Sequence, residues 1–116
     1  MIIGKRFHFD AAHFLPGHPT CGKMHGHTWT VDVELEGPLD DQGMVFDFGR
    51  LKEMMDRILK NYDHCNLNDF TNRPTCEIIA THIGTSLKEK LDFFSTVSLC
   101  SVKVQEGVGG YAIYKP

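Results

Sequence analysis

From His25 to Glu36 the chain alternates almost without a break, and this run limits the fold more than any other stretch. His25, His27, Trp29, Val31, Val33 and Leu35 form one series; Gly26, Thr28, Thr30, Asp32, Glu34 and Glu36 form the other. Side chains at i and i+2 project from the same face of a strand, so a period of two specifies a half-buried β-strand and excludes a helix. The two histidines are in phase with the apolar series. Ile2 to His13 alternates as well: Ile3, Phe7, Phe9 and Ala11 share a face, Lys5 is an exception, and His13 ends the series. If these two strands pair antiparallel, the end of the first lies beside the start of the second. His13, His25 and His27 then meet at one strand end, all on the apolar side.

The intervening segment, Phe14 to Met24, holds Pro16, Gly17, Pro19 and Gly22 and reads as a loop. Gly37 to Gly43 is turn-rich. Asp47 is placed to cap a helix starting at Phe48, with Leu51, Met55, Ile58, Leu59 and Tyr62 as its apolar stripe and an end near Asn61. Asp63 to Asp69 reads as a polar loop. Thr75 caps a second helix with Ile79, Ile83, Leu87 and Leu91 inward, and Gly84 costs that helix roughly 1 kcal/mol relative to alanine. Thr96 to Gln105 is β-rich, and its apolar phase shifts between Leu99 and Val102, which predicts a bulge. Glu106 closes that strand, Gly107 to Gly110 turns, and Tyr111 to Tyr114 forms a short last strand. The order is ββααββ, an α+β class, and residues 1–116 form a single domain without repeats or linkers.

Charge and composition exclude several classes. A net charge of −3 provides no electrostatic footprint for nucleic acid. No apolar run reaches the roughly 18 residues of a membrane span, and the N-terminus lacks a signal-peptide apolar region, so the expected location is cytoplasmic. The four cysteines, at 21, 65, 76 and 100, form no CxxC pair and are expected as free thiols.

Three in-phase histidines at one strand end carry chemistry. Neutral imidazoles suit zinc, which takes nitrogen ligands at about 2.0–2.1 Å; nickel, copper and iron are the other ions they accept. Cys21 has three readings: a fourth ligand closing a structural site, a thiol activated by a nearby metal, or an incidental buried residue. Asp63-His64 reads either as a histidine at a helix C-terminus beside a loop aspartate or as a proton relay in which the carboxylate orients the imidazole. Glu106 alone reads as a solvated strand end, Trp29 as core, and Cys65, Cys76 and Cys100 as incidental.

Taken together, Ala11-Ala12-His13, Cys21-x-x-x-His25-Gly26-His27, Asp63-His64-x-x-Leu67-Asn68, Pro74-Thr75-x-Glu77 and Glu106 resemble the 6-pyruvoyltetrahydropterin synthase superfamily over essentially the whole chain. The three-residue gap before His-Gly-His most resembles 6-carboxytetrahydropterin synthase of the 7-deazaguanine (queuosine and archaeosine) pathway. The resemblance implies a tunnelling fold: a four-stranded antiparallel sheet with two helices on one face, closed into barrels by trimers that stack as hexamers, with active sites between subunits. It implies zinc on His13, His25 and His27, Cys21 as general base, Asp63 and His64 as a relay from a neighbouring subunit, and Glu106 as the anchor of the pterin. Lys5, Arg6 and Lys23 are candidates for a triphosphate.

The activity so implied is conversion of 7,8-dihydroneopterin triphosphate to 6-carboxytetrahydropterin with release of acetaldehyde and triphosphate. Relatives stop at a pyruvoyl product or cleave dihydroneopterin to a hydroxymethylpterin. The reading from another class is a non-catalytic module stabilised by zinc in a closed site of Cys21, His13, His25 and His27, with Asp63, His64 and Glu106 idle.

Overall fold

The computed structural model describes residues 1–116. Strand β1 (Ile2–His13) and strand β2 (His25–Glu36) pair antiparallel without a register slip, from Ile2 opposite Glu36 to His13 opposite His25. The alternation decides which side chains go inside. Phe7, Phe9, Ala11 and His13 of β1 are buried together with Trp29, Val31, Val33 and Leu35 of β2, while Arg6, His8 and Asp10 stay exposed.

Helix α1 (Phe48–Leu59) starts where Asp47 accepts a hydrogen bond from Gly49 N at 2.8 Å, and helix α2 (Cys76–Leu91) where Thr75 accepts from Ile78 N at 3.2 Å. Leu51, Met55, Ile58 and Leu59 of α1 and Ile79, Ala80, Ile83, Leu87 and Leu91 of α2 join the strands' apolar face in one core. The helix interiors carry no proline, and their apolar residues recur on one side, so both helices cover the same face of the sheet.

The sheet corrects the expected count of four. Its order is β3-β1-β2-β4-β5, five strands, with β4 at Ser98–Glu106 and β5 at Tyr111–Tyr114. The extra strand, β3, is only Cys65–Asn66 and runs parallel to Ala11–Ala12 of β1. It lies in the segment expected as a loop, and a 3-10 turn at Leu67–Asp69 follows it. Two residues are too few to show a period; only their contact with β1 makes them a strand. The expected bulge is present: Ser101 faces Glu34 and Leu99 faces Leu35, so Cys100 is the extra residue.

Gly84 has a packing reason that local propensity cannot show. The Tyr114 ring of β5 lies against its Cα so closely that a Cβ would overlap the ring. The glycine lets α2 approach the edge of the sheet.

Candidate metal centre and active site

Period-two phasing and the β1–β2 register bring three imidazoles together. The ring centroids of His13 and His25 are 4.6 Å apart, those of His25 and His27 4.7 Å, and those of His13 and His27 5.3 Å. Trp29, fully buried, sets its edge against His13 and forms the floor, as its place in the apolar series predicts. A fourth residue joins from β4. Trp29 lies opposite Glu106 in the β2–β4 register, and one donor atom each from His13, His25, His27 and Glu106 lies within 4.8 Å of the others.

The orientation of the rings is built from outside the cluster. His13 Nδ1 donates to the carbonyl of Pro74 at 2.8 Å, and His25 Nδ1 to the carbonyl of Lys23 at 2.7 Å. A proton held on Nδ1 leaves the Nε2 lone pair for the interior, which is how metal-binding histidines are oriented by their surroundings. Glu106 Oε1 is 2.8 Å from His13 Nε2 and 3.0 Å from His27 Nε2. Both nitrogens nevertheless lack a hydrogen-bond partner although both are buried: the contacts are close but misdirected. Burial holds the His27 imidazole below its ordinary pKa, with repulsion from His25 and His13 adding to it against the pull of Glu106. Imidazole nitrogens and a carboxylate oxygen converging without bonding one another fit a divalent cation.

Cys21 is half-buried in the β1–β2 loop. Its N–H donates to His18 Nδ1 at 3.0 Å and its carbonyl accepts from Leu15 N at 2.7 Å. Its sulfur is not among the four converging donors, whose carboxylate comes from Glu106 instead. Asp63 and His64 are also placed apart from them. Asp63 Oδ2 lies 2.8 Å from His64 Nδ1, Asp63 Oδ1 accepts from Asp10 N at 2.9 Å, and His64 N donates to Asp10 O at 2.6 Å. These bonds hold His64 at φ 57°, a left-handed conformation uncommon outside glycine. The Asp10 carboxylate, bonded to Thr28 Oγ1 at 2.6 Å, completes this second cluster. Asp10 and Thr28 belong to the solvent-facing series, so the dyad sits across the sheet from the imidazoles. The Asp10 N–H and the His64 ring hold the Asp63 carboxyl below the usual range, and Asp63 raises the His64 imidazole.

Two residues carry more than the sequence showed. The Cys76 thiol, expected as incidental, points at Glu106 Oε2 from 3.6 Å, and burial together with that carboxylate pushes it up to about 12. The Pro74 carbonyl aims His13. Both follow from where α2 begins relative to the ends of β1 and β4, distances no local pattern encodes. Of the triphosphate candidates, Arg6 is taken in a two-pronged pair with Asp32 at 2.7 and 3.0 Å, Lys5 leans on the rings of Phe7 and Phe48, and Lys23 is exposed.

The fold and the four-donor cluster define an α+β protein with a metal-type site at the mouth of a long hairpin. The family described as 6-pyruvoyl tetrahydropterin synthase matches residues 2–116, and the chain belongs to that family. It is similar to the 6-carboxy-5,6,7,8-tetrahydropterin synthase of Bacillus subtilis, 34% identical over 98% of this chain and 84% of that one. It is 38% identical to the dihydroneopterin monophosphate aldolase of Pyrococcus furiosus over 74% of each. Its fold matches the solved 6-pyruvoyl tetrahydropterin synthase of Caenorhabditis elegans with a TM-score of 0.88 at 27% identity, covering 100% of this chain and 95% of that one.

Proposed function

We propose that this pterin-synthase family enzyme is a zinc-dependent carbon–carbon lyase that converts 7,8-dihydroneopterin triphosphate and one water to 6-carboxytetrahydropterin, releasing acetaldehyde and triphosphate, in the cytoplasmic synthesis of 7-deazaguanines; the water supplies the second oxygen of the new carboxyl group. The observation that carries the reading is the pair of buried, unpartnered Nε2 atoms of His13 and His27 facing a shared point with His25. The Bacillus subtilis relative, which the chain matches over nearly its whole length, supports the carboxy product.

His13, His25 and His27 hold the ion, which when bound supplies Lewis acidity toward the side-chain hydroxyls of the substrate. Cys21 takes the proton from the neighbouring carbon as general base. Asp63 orients His64 and favours its protonated form, and His64 passes a proton to the leaving side. Glu106 Oε2, which faces only a weak thiol donor, accepts from the amino-pyrimidinone edge of the pterin.

The enzyme works as a homo-oligomer, a hexamer built as a dimer of trimers. Two features support this. The outer edge of β1 is paired only at Ala11–Ala12, and β5 at the other edge exposes Tyr111 and Ile113, so a single copy leaves both edges open. The Asp63–His64 dyad and the imidazoles face opposite sides of one subunit's sheet, so the dyad serves the site of a neighbour. No helix is long and apolar enough to cross a membrane.

Product analysis with 7,8-dihydroneopterin triphosphate tests the reading. Acetaldehyde and a 6-carboxypterin support it. A pyruvoyl product without acetaldehyde, or a hydroxymethylpterin, replaces it with that activity. No turnover by zinc-loaded protein leaves the non-catalytic module.

A further inference from the structure

Glu106 has both carboxylate oxygens engaged inside the site. Oε1 lies 2.8 and 3.0 Å from two imidazole nitrogens, and Oε2 lies 3.6 Å from Cys76 Sγ, which is also 3.8 Å from the Gly110 carbonyl. The backbone around it is clamped. Glu106 N donates to Gly110 O at 3.1 Å, Gly109 N donates to Glu106 O at 3.0 Å, and Gly107 makes the turn at φ 56°. A carboxylate that simply accepted from protonated histidines would meet their N–H groups head on. Here the ring nitrogens come within hydrogen-bond distance and bond to nothing. That is the arrangement of donors that share an ion rather than bond one another.

We infer that Glu106 is the fourth donor of the metal centre in the substrate-free protein, and that the Cys76 thiol positions its carboxylate. The inference rests on the three-histidine metal site proposed above and adds to it. A carboxylate closes the position that Cys21 would take in a structural module, and it lowers the formal charge of a divalent centre by one. With zinc bound, a substrate oxygen reaching the ion would either join Glu106 in an expanded coordination shell or take its place. Cys76 supports the carboxylate from its far side, and neighbours of this kind change metal affinity by about 10–100-fold.

The test is zinc affinity, measured by competition with a chromogenic chelator on apo-protein. Wild type should bind one zinc per chain. Glu106→Gln should bind at least about tenfold more weakly, Cys76→Val about tenfold more weakly, and Cys76→Ser within a fewfold of wild type. Glu106→Gln with wild-type affinity overturns the fourth-donor assignment while the histidine site stands. Wild type that binds no zinc overturns both. Cys76→Val with unchanged affinity removes Cys76 from the proposal. Because a misfolded variant would also lose zinc, the wild type gives a separate readout. Its zinc-minus-apo infrared difference spectrum should show a shifted carboxylate stretch, and a spectrum without that band overturns the assignment.

Discussion

His13 and Pro74, 61 residues apart, are joined by a 2.8 Å bond from the buried imidazole Nδ1 to the proline carbonyl. The bond ties the end of β1 to the approach of α2 and sets which ring nitrogen faces the donor cluster. His13→Ala should therefore do two things at once. It removes a metal donor, and it leaves a carbonyl without its partner, at about 1–3 kcal/mol. His25→Ala, at a half-buried position, should lose the metal with a smaller fall in stability. Elemental analysis and thermal melts of the two variants check this; full zinc occupancy in both would remove the histidines as ligands.

Cys21→Ala should keep zinc and melt close to wild type, because its sulfur lies outside the converging donors. Turnover should fall by about 10²–10⁴-fold, the usual contribution of a general base. Wild-type turnover would exclude that role. Loss of zinc together with unfolding would support the structural module instead.

The Asp63–His64 pair sets a pH signature. His64 is raised above 6.5 in the folded chain, so what it contributes to stability is complete below 6.5 and is lost as pH rises through the raised value. Asp63 is lowered below 3.8, so its contribution is present above 3.8 and is lost as pH falls through the lowered value. Both contributions are in place between those limits. Asp63→Asn should bring the His64 titration back toward 6.5, followed by the NMR shift of its ring Cε1–H. An unmoved midpoint would show that the two groups are not coupled.

Gly84→Ala tests the α2–β5 contact. A good helix former should here destabilise, by about 1–3 kcal/mol, because the added Cβ overlaps the Tyr114 ring. Urea unfolding is the measurement. A stabilised Gly84→Ala would mean that the ring moves aside freely.

Subunit mixing tests the shared site. Cys21→Ala and His64→Ala proteins should each be nearly inactive alone. Refolded together at equal amounts, they should recover activity in about a quarter of sites, since each intact site then draws its thiol and its imidazole from different copies. No recovery, or a monomer by light scattering, would place the whole site within one chain.

The strict alternation of His25 to Glu36 and the phased run ending at His13 determined, by themselves, a half-buried hairpin with three imidazoles on its core side. This is because the side-chain period of a strand depends only on the backbone. Asp47 and Thr75 marked the helix starts for an equally local reason, a side-chain oxygen reaching an N–H two or three residues on. The phase slip between Leu99 and Val102 marked the bulge. The two-residue strand β3, the need for glycine at 84, the aim of His13 by Pro74 and the approach of Cys76 to Glu106 were decided only by the tertiary structure. Each depends on how far apart two elements settle once the core has packed, and no local period or propensity records that distance. Glu106 combines both. The sequence placed it at a strand end, where a solvated carboxylate is the usual outcome, and the β2–β4 register, with Glu106 opposite Trp29, turned it into the site.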